Sequence, residues 1–274
     1  MANALFLASR WTNDASVTAS SAQGLLTADK VQSIDPTEVW RATGCAAEYL
    51  AWDYGSDVEC DCAILTGHNL SPTATLRLRL AASAAGVTAA PAVDSGVVSA
   101  WPSSGKPDVL DWFSWFSLVL ATNSAGYRYG RLDVADPANP DGFVQAARLF
   151  AGPSFVPLLN VDINPSLGLM SPDEVGRTPF GHFFGDTRGP AARVMAVPMS
   201  ALTEAEMGEE LFELQRYCGL ARDFAFCLDP AATTTFYRYA MQARFASLQP
   251  FQLQRIWNEV SQLWQTTLPL EEVT

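Results

Sequence analysis

Apolar and polar positions alternate in short runs over the first 160 residues, broken by Gly, Pro, Ser, Asn and Asp clusters at intervals of roughly 8–15 residues. The clearest stretch is residues 62–80, CAILTGHNLSPTATLRLRL. A continuous apolar run (Ala63, Ile64, Leu65) predicts a strand buried on both faces. Gly67, His68 and Asn69 read as a structural turn after it. Then Leu76, Leu78 and Leu80 alternate with Arg77 and Arg79, the period of a half-buried strand. Further strands are predicted at 17–19, 48–53, 112–119, 127–133 and 144–150, and a short one near 96–101 within a long Ala/Ser/Gly/Pro-rich loop, 81–107. In EYLAWDYG (48–55), Tyr49, Ala51 and Asp53 fall on one face and Leu50, Trp52 and Tyr54 on the other. In IDPTEVW (34–40), Asp35-Pro36 starts a turn that delivers Trp40 to the core.

The last 84 or so residues change period. A strand at 193–199 precedes Thr203-x-x-Glu206, a capping box. The helix expected over 204–218 places Met207, Leu211, Leu214 and Cys218 on one apolar stripe, with Glu204 and Glu206 at its positive end and Gly219 as its stop. Strands follow at 223–228 and 235–246, the latter with Tyr237, Tyr239, Met241, Ala243 and Phe245 on one face, and 251–264 closes the chain as a strand pair or a strand and short helix. Between the two parts, 153–190 carries six prolines and is read as a connector, either a loop passing along a neighbouring subunit or a strand-bearing link.

The fold class expected is mainly β: an N-terminal jelly-roll β-sandwich (1–164), a connector (165–190) and a smaller α+β domain with one main capped helix (191–274). At 49% hydrophobic and 17% charged the chain can fill a core and is not a disordered segment. Its net charge is −12, with Lys30 and Lys106 as the two lysines, so no basic patch points to nucleic acid. No apolar run reaches the ~20 residues of a membrane-spanning helix. The N-terminal MANALFLASRW lacks the basic flank of a signal peptide, so synthesis in a cytoplasm is expected.

Each chemical candidate competes with a structural reading. Cys60 and Cys62, expected on one face of a strand, could meet Cys218 and Cys227 in a metal or cluster site. No paired CxxC supports that, and the odd count of five argues against a disulfide framework, so reduced core cysteines are expected. No GxSxG elbow accompanies His68. Acidic turns at Asp133–Asp136 and Asn139–Asp141 offer oxygens to calcium without an EF-hand pattern. Trp101, Trp112 and Trp115, with Phe113 and Phe116, form either a sugar platform or, since WFSWFSLVL is apolar on both faces, a core strand. His182, Phe183 and Phe184, beside Phe180 in PFGHFFGD, make either a subunit contact or a packed loop. No phosphate-binding loop or paired-carboxylate signature is present, so no catalytic, metal or cofactor-binding residue is assigned and no enzyme is expected.

Residues 62–80 and 34–40 together resemble the discoidin-like (galactose-binding-like) jelly roll in minor tail proteins of long-tailed bacteriophages, and 193–219, RVMAVPMSALTEAEMGEELFELQRYCG, is similar in pattern to C-terminal halves of siphophage tail-tip proteins. The resemblance implies a virion structural protein of the tail tip (a distal-tail, baseplate or hub component) that assembles in the host cytoplasm. It also implies a homo-oligomer, a trimer or hexamer, with tail-tube and central hub or fibre proteins as further partners. In that family GHN ends the strand before a turn, in keeping with a structural His68. The alternative is a carbohydrate-binding adhesin contacting host surface glycans through the Trp101–Trp112 and Asp133–Asp141 loops.

Overall fold

The computed structural model describes residues 2–108, 115–255 and 262–274. Its N-terminal strands are β1 (Leu5–Ala8), β2 (Ser16–Ala19), β3 (Trp40–Arg41), β4 (Glu48–Glu59), β5 (Cys62–Thr66), β6 (Thr75–Ala81), β7 (Val93–Asp94), β8 (Val98–Ser99), β9 (Phe116–Leu120), β10 (Gly126–Ala135), β11 (Gln145–Ala146) and β12 (Arg148–Gly152). One antiparallel sheet runs β2-β4-β10-β6-β7, with β8 also on β6; a second runs β12-β5-β9; β11 pairs with β3. Leu50, Trp52, Leu76, Leu78, Leu80, Leu132 and Val134 of the first sheet meet Ala63, Leu65, Val119, Leu149 and Ala151 of the second in one core. This is a β-sandwich, and its half-buried strands alternate as a sheet with one wet face must. Trp40 is fully buried within it and donates Nε1–H to the Ser21 carbonyl at 2.9 Å.

The CAILT run is buried throughout because its sheet is covered twice. One face belongs to the sandwich. On the other, Cys62, Ile64, Phe116 and Phe150 pack on Leu5, Leu7, Ala225, Cys227, Phe236 and Ala240. The latter residues come from a third sheet and the helix beside it, made of β13 (Ser166–Met170), β16 (Ala192–Leu202), β17 (Phe224–Cys227), β18 (Ala240–Phe245), β19 (Gln252–Arg255) and β20 (Gln262–Glu272), in the order β1-β17-β18-β20-β16-β13 with β19 on β20. Strands β14 (Glu174–Arg177) and β15 (Phe183–Asp186) form a separate hairpin. The first strand thus pairs with β17, more than 200 residues away, in register Leu5↔Cys227 to Ala8↔Phe224.

The far face of the third sheet carries Phe6, Met195, Val197, Phe224, Phe226, Met241, Phe245, Leu268 and Leu270 under the helix residues Leu211, Leu214 and Cys218. A helix is present over 204–218, as the capping box predicts, but a π turn at Glu206–Leu211 precedes its regular α part, Phe212–Cys218. Thr203 N–H donates to Glu206 Oε2 at 2.9 Å, Glu206 N–H returns to Thr203 Oγ1 at 3.3 Å, and Gly219 takes φ +53° at the stop.

Two expectations are corrected. Residues 235–246 are not one long strand: Phe236–Tyr239 makes a short helix before β18, which swings Phe236 onto Phe116, ring centroids 5.9 Å apart. Cys60 and Cys62 do not share a face: the chain leaves one sheet for the next between them, so Cys60 enters the sandwich core and Cys62 the joint layer. The 81–107 loop also holds a helical turn, Gly86–Ala89, and β7 beside the short strand expected there.

Candidate functional site

Trp101 and Trp115 lie inside the structure. Trp101 is buried, donates Nε1–H to the Ser71 carbonyl at 2.7 Å, and stands edge-on to His68 and to half-buried Trp115 at centroid separations of 5.4 and 5.2 Å. Lys106 Nζ covers both indoles at 5.1 and 5.4 Å. Trp112 and Phe113 lie outside the described residues, as does Trp257.

The turn of Gly67, His68 and Asn69 is built from all three. Gly67 has φ +62°, and a Cβ there would lie 2.6 Å from that of Ala147. Asn69 donates to the Phe143 carbonyl at 3.0 Å and accepts from Gln145 N–H at 2.8 Å. Buried His68 accepts the Leu70 N–H at Nδ1 (3.4 Å) and shares Nε2 with Ser117 Oγ at 2.8 Å; Ser117 in turn donates to the Ala100 carbonyl. Burial, then the nearby Lys106 charge, lowers its pKa to about 3, so it stays neutral.

The acidic turns spend their carboxylates internally. Asp133 holds Arg79 at 2.7 and 2.8 Å and Arg131 at 2.6 Å, while Asp136 accepts from Ser71 N–H and Asn139 Nδ2, each at 2.8 Å, and from the Ser71 hydroxyl. All five cysteines are free. Burial raises the pKa of Cys60 to about 11 and of Cys218 to about 12, and pushes Cys62 and Cys227 up as well, so these thiols stay protonated. Among the described residues, no group of three or more His, Cys, Asp or Glu is placed to hold a metal, and no helix is long and apolar enough to cross a membrane.

The connector residues behave differently. Strand β13 is the outer strand of the third sheet, pairing among the described residues with β16 alone, and leads into the β14–β15 hairpin. Phe180 at the turn is 89% exposed, Phe183 70% and Phe184 52%; Val175 and His182 are exposed too. The register Gly176↔Phe184 lays the Phe184 ring across Gly176, where a Cβ would sit 2.6 Å from it, and puts Arg177 beside Phe183 on the opposite face. Arg188 ties the base of the hairpin to Glu174 at 2.5 Å. A lone two-stranded hairpin is marginal in water, and exposed rings mark contact surfaces.

Two of the concave surfaces combine aromatic with charged side chains. The first is a cleft of about 170 Å³ beside β1 and the π turn, lined by Trp11, Phe155, Glu209, Glu210, Glu213 and Tyr217 among others. Burial and then the charge of Glu209 raise the pKa of Glu210, whereas a hydrogen bond from Arg216 lowers that of Glu213. The second is an open groove of about 320 Å³ on the outer face of the first sheet, with Tyr49, Asp53, Tyr129 and Arg131. There the Arg131 guanidinium stands 3.6 Å from the Tyr49 ring centroid, and Arg128 binds Asp53 at 2.7 and 2.8 Å. Sequence reasoning named no residue of either surface as a site; the outward positions of EYLAWDYG were the available signal for the second.

No protein-family model matches the chain, and no curated protein matches it. Among solved structures, the chain is similar to chitosan-binding module 1 of a chitosanase/glucanase from Paenibacillus sp. IK-5, at 12% identity and a TM-score of 0.38 over 54% of this chain and 99% of that one. It is similar to the module CpGH89CBM32-5 of Clostridium perfringens, solved with GalNAc-β-1,3-galactose, at 12% identity and a TM-score of 0.37 over 54% and 99%. It is likewise similar to the family 32 carbohydrate-binding module of C. perfringens NanJ, solved with galactose, at 12% identity and 0.36 over 56% and 99%. At these identities and TM-scores the likeness carries no argument about ligand or activity; the sandwich rests on its own strand pairing.

Proposed function

We propose that this protein is a non-enzymatic structural subunit that assembles with further copies and presents its β-sandwich outward, as in the tip of a long-tailed phage's tail. The observation that carries the reading is the β14–β15 hairpin, which holds Phe180, Phe183 and Phe184 in solvent. The chain spends three aromatic rings on a device that no other described residue covers, and a docking arm is what such a device serves. The sequence resemblance to tail-tip proteins supplies the setting: a virion, with neighbouring tail proteins as partners. Molar mass by light scattering, with crosslinking in virions, tests it. The full chain is expected to form a closed oligomer, and a chain lacking 171–189 is expected to run as a monomer. A full chain that stays monomeric at high concentration overturns the reading.

A second reading, a carbohydrate-binding adhesin, is favoured by the outer-face groove. Its volume lies at the lower end of small-ligand sites, and it combines Tyr49 and Tyr129 with Arg131. The named ligands of the similar modules agree with this reading without carrying it. Glycan-array binding that Tyr129→Ala abolishes is the expected outcome; an array without binders removes it.

A further inference from the structure

The hairpin presents Phe180 and Arg177 to solvent, the cleft presents Glu209, Glu210 and aromatic side chains, and the two adjoin opposite ends of one sheet's strand order. β13, which leads into the hairpin, is the outer strand at one end of the order β1-β17-β18-β20-β16-β13. The cleft takes Phe6 and Ala8 from β1 at the other end. Five strand spacings of ~4.8 Å separate the two edges by roughly 24 Å. The hairpin of one chain is thus anchored far from that chain's own cleft.

We propose that the hairpin tip of one copy seats in the acidic cleft of a second copy, with Phe180 entering between Trp11, Phe155 and Tyr217 and Arg177 pairing with Glu209 and Glu210. The inference rests on the assembly reading and names its interface. Size supports it: a cavity of about 150 Å³ holds a benzene ring, and the cleft offers about 170 Å³. Charge supports it as well. Arg177 is exposed and makes no ion pair among the described residues. Glu209 and Glu210 are exposed neighbours on the π turn and line the cleft together with Arg10. Arg10 is itself drawn over the Trp11 ring, at 4.2 Å from its centroid. An incoming guanidinium meets two carboxylates there, beside aromatic faces that suit both it and a phenyl ring. Each copy carries both halves of the contact, so the interface is head-to-tail and closes into a ring where the rotation permits.

The test is a charge exchange on the full chain, read by light scattering across a concentration series. Arg177→Glu and Glu210→Arg alone are each expected to weaken assembly tenfold or more, and the double variant to restore it. Phe180→Ala is expected to weaken it without any such rescue. All of these positions are exposed, and unchanged circular dichroism confirms folding. If the unaltered chain assembles and the single exchanges leave its assembly unchanged, this interface is overturned while the assembly reading stands. A double variant no better than the singles likewise overturns the pairing. If the unaltered chain is a monomer, the assembly reading falls and takes this interface with it.

Discussion

His68 uses both ring nitrogens inside the protein, and that sets a pH dependence. Its folded pKa is depressed to about 3 from an ordinary 6.5, chiefly by burial. Between those values the unfolded chain binds a proton that the native one refuses. The contribution of neutral His68 is therefore complete above pH ~6.5 and declines as pH falls toward 3, by up to ~1.4 kcal/mol per pH unit. Urea unfolding at pH 7 and pH 5 checks this: the wild type is expected to lose more stability over that interval than His68→Gln, which has no ring to protonate. Equal losses would mean that native His68 takes up its proton over the same pH range as the unfolded chain does. The turn role of His68 was readable from GHN between two strands. Its partners were not, because Trp101, Ser117 and Lys106 arrive from segments 33 to 49 residues away. The same holds for Trp101, whose neighbours decide that it packs rather than faces a ligand.

Strands and helices divide by how local their determinants are. The helix at 204–218 was legible because a capping box and an apolar stripe are written within a few residues, and Leu211, Leu214 and Cys218 do face the core. Its π turn was not, since nothing local distinguishes one extra residue per turn; that turn exposes Glu209 and Glu210 beside the cleft. Thr203 both donates to Glu206 and accepts from it, so Thr203→Ala is expected to cost about 1 kcal/mol and Thr203→Ser much less, as read by thermal or urea unfolding. Equal effects of the two would assign the loss to packing of the methyl group instead. The hairpin arm was read as a Gly- and Pro-rich connector, either a loop along a neighbouring subunit or a strand-bearing link, with its aromatic residues as a subunit contact or a packed loop. Its strands are four residues each and owe their existence to cross-strand pairs such as Gly176 with Phe184, not to a hydrophobic period. β1 was missed as a member of the third sheet for the opposite reason: LFLA is apolar enough, but its partner is at the far end of the chain.

Three sheets and a helix stack as four layers, and the boundary between sandwich and third sheet is as dry as either core. Arg148 of β12 and Asp223, just before β17, form a two-pronged pair across that boundary, both contacts 2.8 Å, with both side chains 1% exposed. Gln242 adds a 2.9 Å bond to Asp223 and also holds Thr66 of β5, so sandwich and third sheet share one polar network. Such a network contributes less to net stability than to fixing one arrangement, but removing a single partner strands a buried charge. Asp223→Asn is expected to cost about 3–5 kcal/mol. Because β1, the joint apolar layer and this pair all cross the boundary, the loss should fall on the whole chain in one transition. Hydrogen exchange resolved by segment, run alongside urea unfolding, distinguishes the cases: β4 and β6 in the sandwich should lose protection together with β16 and β20. Loss confined to one set would mean that the two parts fold as separate units, and that the long-range pairing of β1 with β17 merely docks them.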